Sequence, residues 1–173
     1  MPKTPDTILA IDPGTRELGY AVLSGARLVD HGVLTLRHIP ARHRLQRVRE
    51  AAKAWVRAHR PDVVVLETIP TRPAHPSVGL PSLGRLLRRL AHGLRLELGT
   101  YSAKAVRRTV LNNGWAGKAE VAETLVGRYP QLRVYRGQNR KWKDRYWQNM
   151  FDAIALALHH RAMHPPSRSR ASD

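Results

Sequence analysis

Hydrophobic and polar positions along this chain alternate between two rhythms. TILAID at 7–12 is a short, nearly continuous apolar run, and LGYAVL at 18–23 is a second. The link between them, PGTRE, places Pro13 and Gly14 for a tight turn, and ARLVDHGVLTL alternates loosely as a third strand. From Ala41 to His59 the spacing changes: Leu45, Val48, Ala52, Trp55 and Val56 recur at helical intervals, with arginines filling the other faces. Pro61 and Asp62 break that helix, and VVVLE follows as a strong buried strand. The order β-β-β-α-β predicts an α/β domain built on a mixed sheet.

Beyond Glu67 the pattern dissolves into TIPTRPAHPSVGLPS, too rich in Pro and Gly for regular structure. A long irregular loop directly after a strand end is more often functional than decorative. Leu83, Leu86, Leu87, Leu90 and Ala91 then mark a helix, LRLELGTY a strand, and SAKAVRRTV and GKAEVAETLVGRY two short helices. The basic segment PQLRVYRGQNRKWK reads as loop, and the last helix is expected to run from about Asp144, as its N-cap, through HHRA. One domain over residues 1–163, followed by a disordered basic tail at 164–173, is the expected organisation.

Composition adds one strong constraint. Thirty Lys and Arg against thirteen Asp and Glu give a net charge of +17, which favours a polyanionic partner, most often nucleic acid. The absence of cysteine removes disulfides and thiolate zinc sites. No apolar run reaches membrane-spanning length and MPKTPDT has no hydrophobic signal core, so the expectation is a cytoplasmic protein without membrane contact.

With so few acids, their positions are informative. Asp12 and Glu67 each end a buried strand, and Asp152 sits in the apolar helix segment FDAIALALHH. Each has a plain structural reading: a turn cap for Asp12, an arginine partner for Glu67, a salt bridge for Asp152. Together they suggest a cluster whose mutual repulsion a divalent cation relieves, with oxygen donors suited to Mg²⁺ or Mn²⁺. The region NRKWKDRYW interleaves Lys141, Lys143 and Arg145 with Trp142, Tyr146 and Trp147, which fits either stacking on unpaired bases or packing at a helix start.

The stretches IDPGTRELGYAVL, VVVLE, YSAKAVRRTVLNNGWAGKAEV and FDAIALALHH, in this order, resemble the motifs of the RuvC Holliday-junction resolvases over nearly the whole chain. That resemblance implies an RNase H-like α/β fold, a five-stranded mixed sheet flanked by helices on both faces. It also implies a homodimer that cuts four-way junction DNA with paired symmetric nicks, using two Mg²⁺ ions per site for which Mn²⁺ can substitute. Asp12, Glu67 and Asp152 match the family's metal-binding acids, and Lys118 its cleavage lysine. Arg107 falls on a basic position of the same segment, with Lys104 beside it. Ile69, Pro70 and Arg72, in the loop after Glu67, and Lys141, Trp142 and Lys143 complete the expected DNA-binding set; a branch-migration helicase is a further candidate partner.

Three departures from the family pattern stand out. Asn149 occupies the position of the fourth ligand, one helical turn before Asp152, where an amide oxygen can ligate Mg²⁺ but brings no charge. The aromatic junction wedge three residues after Glu67 is absent, leaving Ile69 or Pro70 in its place. The helix expected to pack the dimer carries Arg85, Arg88 and Arg89 beside its leucines. Two alternatives stay open: another RNase H-like nuclease acting on RNA, hybrid or transposon DNA, and a junction-binding protein whose metal site has decayed.

Overall fold

A computed structural model describes residues 7–68, 79–115, 117–136 and 141–165, the side chains of 141–144 excepted. Among the described residues, five strands form one sheet in the order β3-β2-β1-β4-β5. Strands β1 (Thr7–Asp12), β2 (Glu17–Ser24) and β3 (Arg27–Thr35) make the antiparallel meander expected from the sequence. Helix α1 (Ala41–His59) crosses over to β4 (Val63–Glu67), which runs parallel to β1, and α2 (Leu80–Gly93) leads to β5 (Glu97–Tyr101), parallel to β4. Helices α3 (Ala103–Leu111), α4 (Lys118–Arg128) and α5 (Lys141–Met163) complete the order.

The alternation of strand side chains decides what each face buries. Leu9 and Ile11 of β1 with Val64 and Leu66 of β4 face α1 and α2, meeting Val48, Ala52, Leu83 and Leu87. Ile8 and Ala10 with Val63 and Val65 face the other way, onto Val106, Val121, Leu125 and the apolar stripe Met150–Leu158 of α5. Helices therefore cover both faces, as the RNase H-like expectation required.

Two expectations about chain boundaries need correction. The last helix begins at Lys141, so Asp144 lies inside its first turn and is not the N-cap. No Pro or Gly stands between Gly137 and Asp144 to stop the helix from extending backwards. The segment read as loop contains a 3-10 helix, Pro130–Tyr135, pinned by Leu132, which is fully buried. Ile69, Pro70 and Arg72, the side chains of Lys141, Trp142 and Lys143, and the tail from Pro166 onward lie outside the described residues. Among the described residues, no helix is long and apolar enough to cross a membrane.

Candidate active site

Strand register brings the first two acids together. Ile11 pairs with Leu66 across the parallel β1–β4 ladder, so Asp12 and Glu67 follow side by side at the carboxyl ends of neighbouring strands. By alternation both project toward α5, the face of Ala10 and Val65. Helix α5 carries Asp152 and Asn149 one turn apart onto that same end. The result is a cleft of about 320 Å³, lined by Asp12, Glu67, Asn149 and Asp152 together with Arg107 and Lys118. Clefts at the carboxyl ends of strands are where open α/β sheets place their ligands.

Close backbone contact seats α5. A Cβ added at Gly19 would lie 2.0 Å from the backbone carbon and oxygen of Asn149, so β2 and α5 touch at a point only glycine permits. Gly14, in the turn after Asp12, is equally tight: an added Cβ would meet the Glu17 carbonyl oxygen at 2.0 Å and the Asn149 amide nitrogen at 2.4 Å. The Asn149 amide nitrogen donates a hydrogen bond to that Glu17 carbonyl. This latch fixes the amide's orientation, leaving Oδ1 as the end able to accept a cation.

Electrostatics in the cleft are strained. Asp12 keeps part of its surface toward the opening, yet burial raises its pKa well above the ordinary carboxylate range, and the charges of Asp152 and then Glu67 raise it further. Glu67 is also raised, first by burial and then by Asp152, against opposing pulls from Lys118 and Arg107. Lys118 partly neutralises the group: its Nζ lies 3.1 Å from Asp152 Oδ2. Gln148 Nε2 donates to the other oxygen, Oδ1, at 3.0 Å. Gln148 was not singled out from the sequence, although its i, i+4 spacing to Asp152 is a readable signal.

The donor set, three oxygen acids that repel one another, suits a divalent cation. In the rotamers seen, Asp152 turns to Lys118, and among the described residues no three acidic, His or Cys side chains are gathered around one point. A cation would therefore draw Asp152 away from its lysine. Of the expected DNA-binding residues, Arg107 lines the cleft and Lys104 lies one turn earlier on α3, outside it. Trp147, which could have been stacking or core, is half-buried against the α5 core and packs on Tyr135 at 4.5 Å between ring centroids. Its packing reading holds.

A family model described as Crossover junction endodeoxyribonuclease RuvC matches residues 8–160. A protein of that name from Nocardioides sp. is 31% identical over 160 residues, covering 88% of this chain and 85% of the relative. Another, from Anaeromyxobacter sp., is 30% identical over 164 residues, covering 90% and 80%. The fold is similar to that of Thermus thermophilus RuvC, with a TM-score of 0.67 at 23% identity, covering 91% of this chain and 95% of the other. The same protein in complex with Holliday junction substrate gives a TM-score of 0.69 at 23% identity, covering 89% and 92%.

Proposed function

This chain belongs to the RuvC family of crossover junction endodeoxyribonucleases, and on that premise we propose that it resolves Holliday junctions by paired symmetric nicks at the Asp12–Glu67–Asp152 cleft. The observation that carries the reading is the convergence of three isolated acids with Lys118 and Arg107 in one cleft of a chain charged +17. Asp12, Glu67 and Asp152, with the Asn149 amide oxygen, would hold two divalent cations, Mg²⁺ or Mn²⁺. When bound, these supply activation of water and neutralisation of charge at the reacting phosphate.

The chain's own groups do the positioning. Asp12, central in the cleft and shared by both neighbours' fields, favours whatever neutralises it, and so anchors the centre. Lys118, whose side chain lines the cleft beside Asp152, would steady negative charge on the phosphate oxygens. Arg107 holds the strand by a second phosphate contact. Water oxygen ends on phosphorus and the P–O3′ bond breaks, leaving 5′-phosphate and 3′-hydroxyl ends.

Symmetric cutting calls for a second copy. The groove between α1 and α2 supports this role: Leu45 of α1, Leu86 and Leu90 of α2 and the following Leu94 line it together with Arg49, Lys53, Arg85 and Arg89. Like charges facing across such an interface make association stronger as salt rises, which a sizing column at low and high salt reads.

The functional test is a panel: a mobile four-way junction, a linear duplex of matched sequence and an RNA–DNA hybrid, each with Mg²⁺ or Mn²⁺. Cutting of the junction in preference to the other two is expected. Preference for the hybrid would refute the proposal in favour of another nuclease of this fold. Junction binding without cutting under either metal would mark a decayed site, for which Asn149 and the Lys118–Asp152 pair are the structural traces.

A further inference from the structure

Trp115 lies in the turn between α3 and α4 with 82% of its surface exposed, the most open of the large apolar side chains among the described residues. Burial of an indole is worth several times that of a methylene, so a tryptophan left in water serves the fold poorly. Yet its placement is organised. The backbone N–H of Trp115 donates to Asn113 Oδ1 at 3.0 Å, fixing the turn. Lys104 Nζ sits 4.2 Å from the ring centroid, a cation–π contact on one side of the indole. Gly114 lets the turn press flush on α3, since an added Cβ would come within 3.2 Å of Lys104 Cγ.

Position gives the ring a purpose. Trp115 stands three residues before Lys118, whose side chain lines the cleft, and it rests on Lys104, one helical turn before Arg107, another cleft residue. Arg108 is exposed on the same helix. An open aromatic ring set among cations suits a nucleic-acid base with its phosphate, because the ring stacks on the base while the ammonium meets the backbone. The chain's net charge of +17 favours such a polyanion over a protein segment.

We propose that Trp115 is a specificity-determining residue that stacks on an unpaired base at the branch point, with Lys104 holding the adjoining phosphate, so that branched DNA binds in preference to linear duplex. A base within an intact duplex has both faces covered and offers nothing to the ring; a base freed at a crossover does. The branch-point part of this proposal rests on the junction-resolving reading above, whereas the stacking itself does not.

The test uses the full chain without Mg²⁺ or Mn²⁺, so that nothing is cut. The parent, Trp115→Ala and Trp115→Phe are titrated with a four-way junction carrying 2-aminopurine at the branch, a matched duplex and a single strand. Trp115→Ala is expected to lose roughly 5- to 100-fold in affinity for junction and single strand, with duplex binding within about two-fold. Trp115→Phe recovers most of the loss, and the quenching of the branch 2-aminopurine seen with the parent is weakened in Trp115→Ala. Because the side chain is exposed, the variant's circular dichroism matches the parent's.

Junction and single-strand affinities within two-fold of the parent, with quenching unchanged, would overturn the proposal. If the parent itself binds junction no better than duplex, the junction-resolving reading fails. The single-strand titration then decides the stacking role separately: loss of affinity in Trp115→Ala upholds it, and no change overturns it.

Discussion

Gly19→Ala is a one-methyl perturbation at the seat of α5, the helix that carries Asn149 and Asp152. The added Cβ would stand 2.0 Å from the backbone carbon and oxygen of Asn149 and 2.4 Å from the Met150 nitrogen. All three are main-chain atoms, so no rotamer change relieves the overlap. Ordinary contact begins near 3.4 Å, and α5 must therefore back away from β2 by more than an ångström. Overpacking of this kind costs about 1–3 kcal/mol, or roughly 2–12 °C in melting temperature for a chain of this size. Asp152 lies one turn further along the same helix, so it moves with the displacement relative to Asp12. A misplacement near 1 Å lowers cleavage by roughly 10²-fold. Gly127→Ala is the control: it lies exposed in α4 with nothing within 4 Å of the added Cβ, and it should be neutral or up to about 1 kcal/mol more stable. Thermal melts and single-turnover junction cleavage read both effects. A Gly19→Ala protein that melts and cuts like the parent would refute the claim that this contact positions the site.

Burial and mutual repulsion hold Asp12 and Glu67 above the ordinary carboxylate range, so the metal-free protein should lose stability as pH rises from that range through their raised pKa values. Below it both groups are protonated in either state and contribute nothing. Asp12→Asn should flatten this loss, raise the melting temperature in chelator at neutral pH and abolish the rise on adding Mg²⁺; melts from pH 4 to 8 check all three. Asn149→Asp should set a carboxylate oxygen against the Glu17 carbonyl, lowering metal-free stability by about 1–3 kcal/mol while enlarging the stabilisation by Mg²⁺. An unchanged Mg²⁺ titration would remove Asn149 from the ligand set. Lys118→Ala should slow cleavage by roughly 10²-fold yet shift the melting temperature little, because its pair with Asp152 is largely open to solvent on the lysine side.

Much of the site was readable because period-two alternation and strand order are local properties. Ala10 and Val65 are core on one face, so the next residues of like parity, Asp12 and Glu67, had to emerge on that face together. The apolar surroundings of Asp152 likewise announced a helix packed on the sheet with one acid among its buried positions. What stayed illegible depends on contacts between distant parts of the chain. Glu17 and Asn149 are 132 residues apart, and nothing in either motif says that a backbone carbonyl claims the amide nitrogen. The Lys118–Asp152 pair joins residues 34 apart, and their separate motifs do not show that the lysine rests on the acid. Gly19 read as an ordinary strand residue, because the need for glycine comes from α5 and not from β2. The start of α5 was misplaced because a good capping residue, Asp144, also fits well inside a first turn.

On the proposed function, this cleft cuts branched DNA in a metal-dependent, symmetric way. Mapping the nicks on a four-way junction, with each strand 5′-labelled in turn and Mg²⁺ present, tests it most directly. Cuts are expected on two opposing strands of like polarity, at matching positions, with 5′-phosphate and 3′-hydroxyl ends, and none in Asp12→Asn. Cuts confined to one strand, scattered along the arms, or persisting in Asp12→Asn would contradict it.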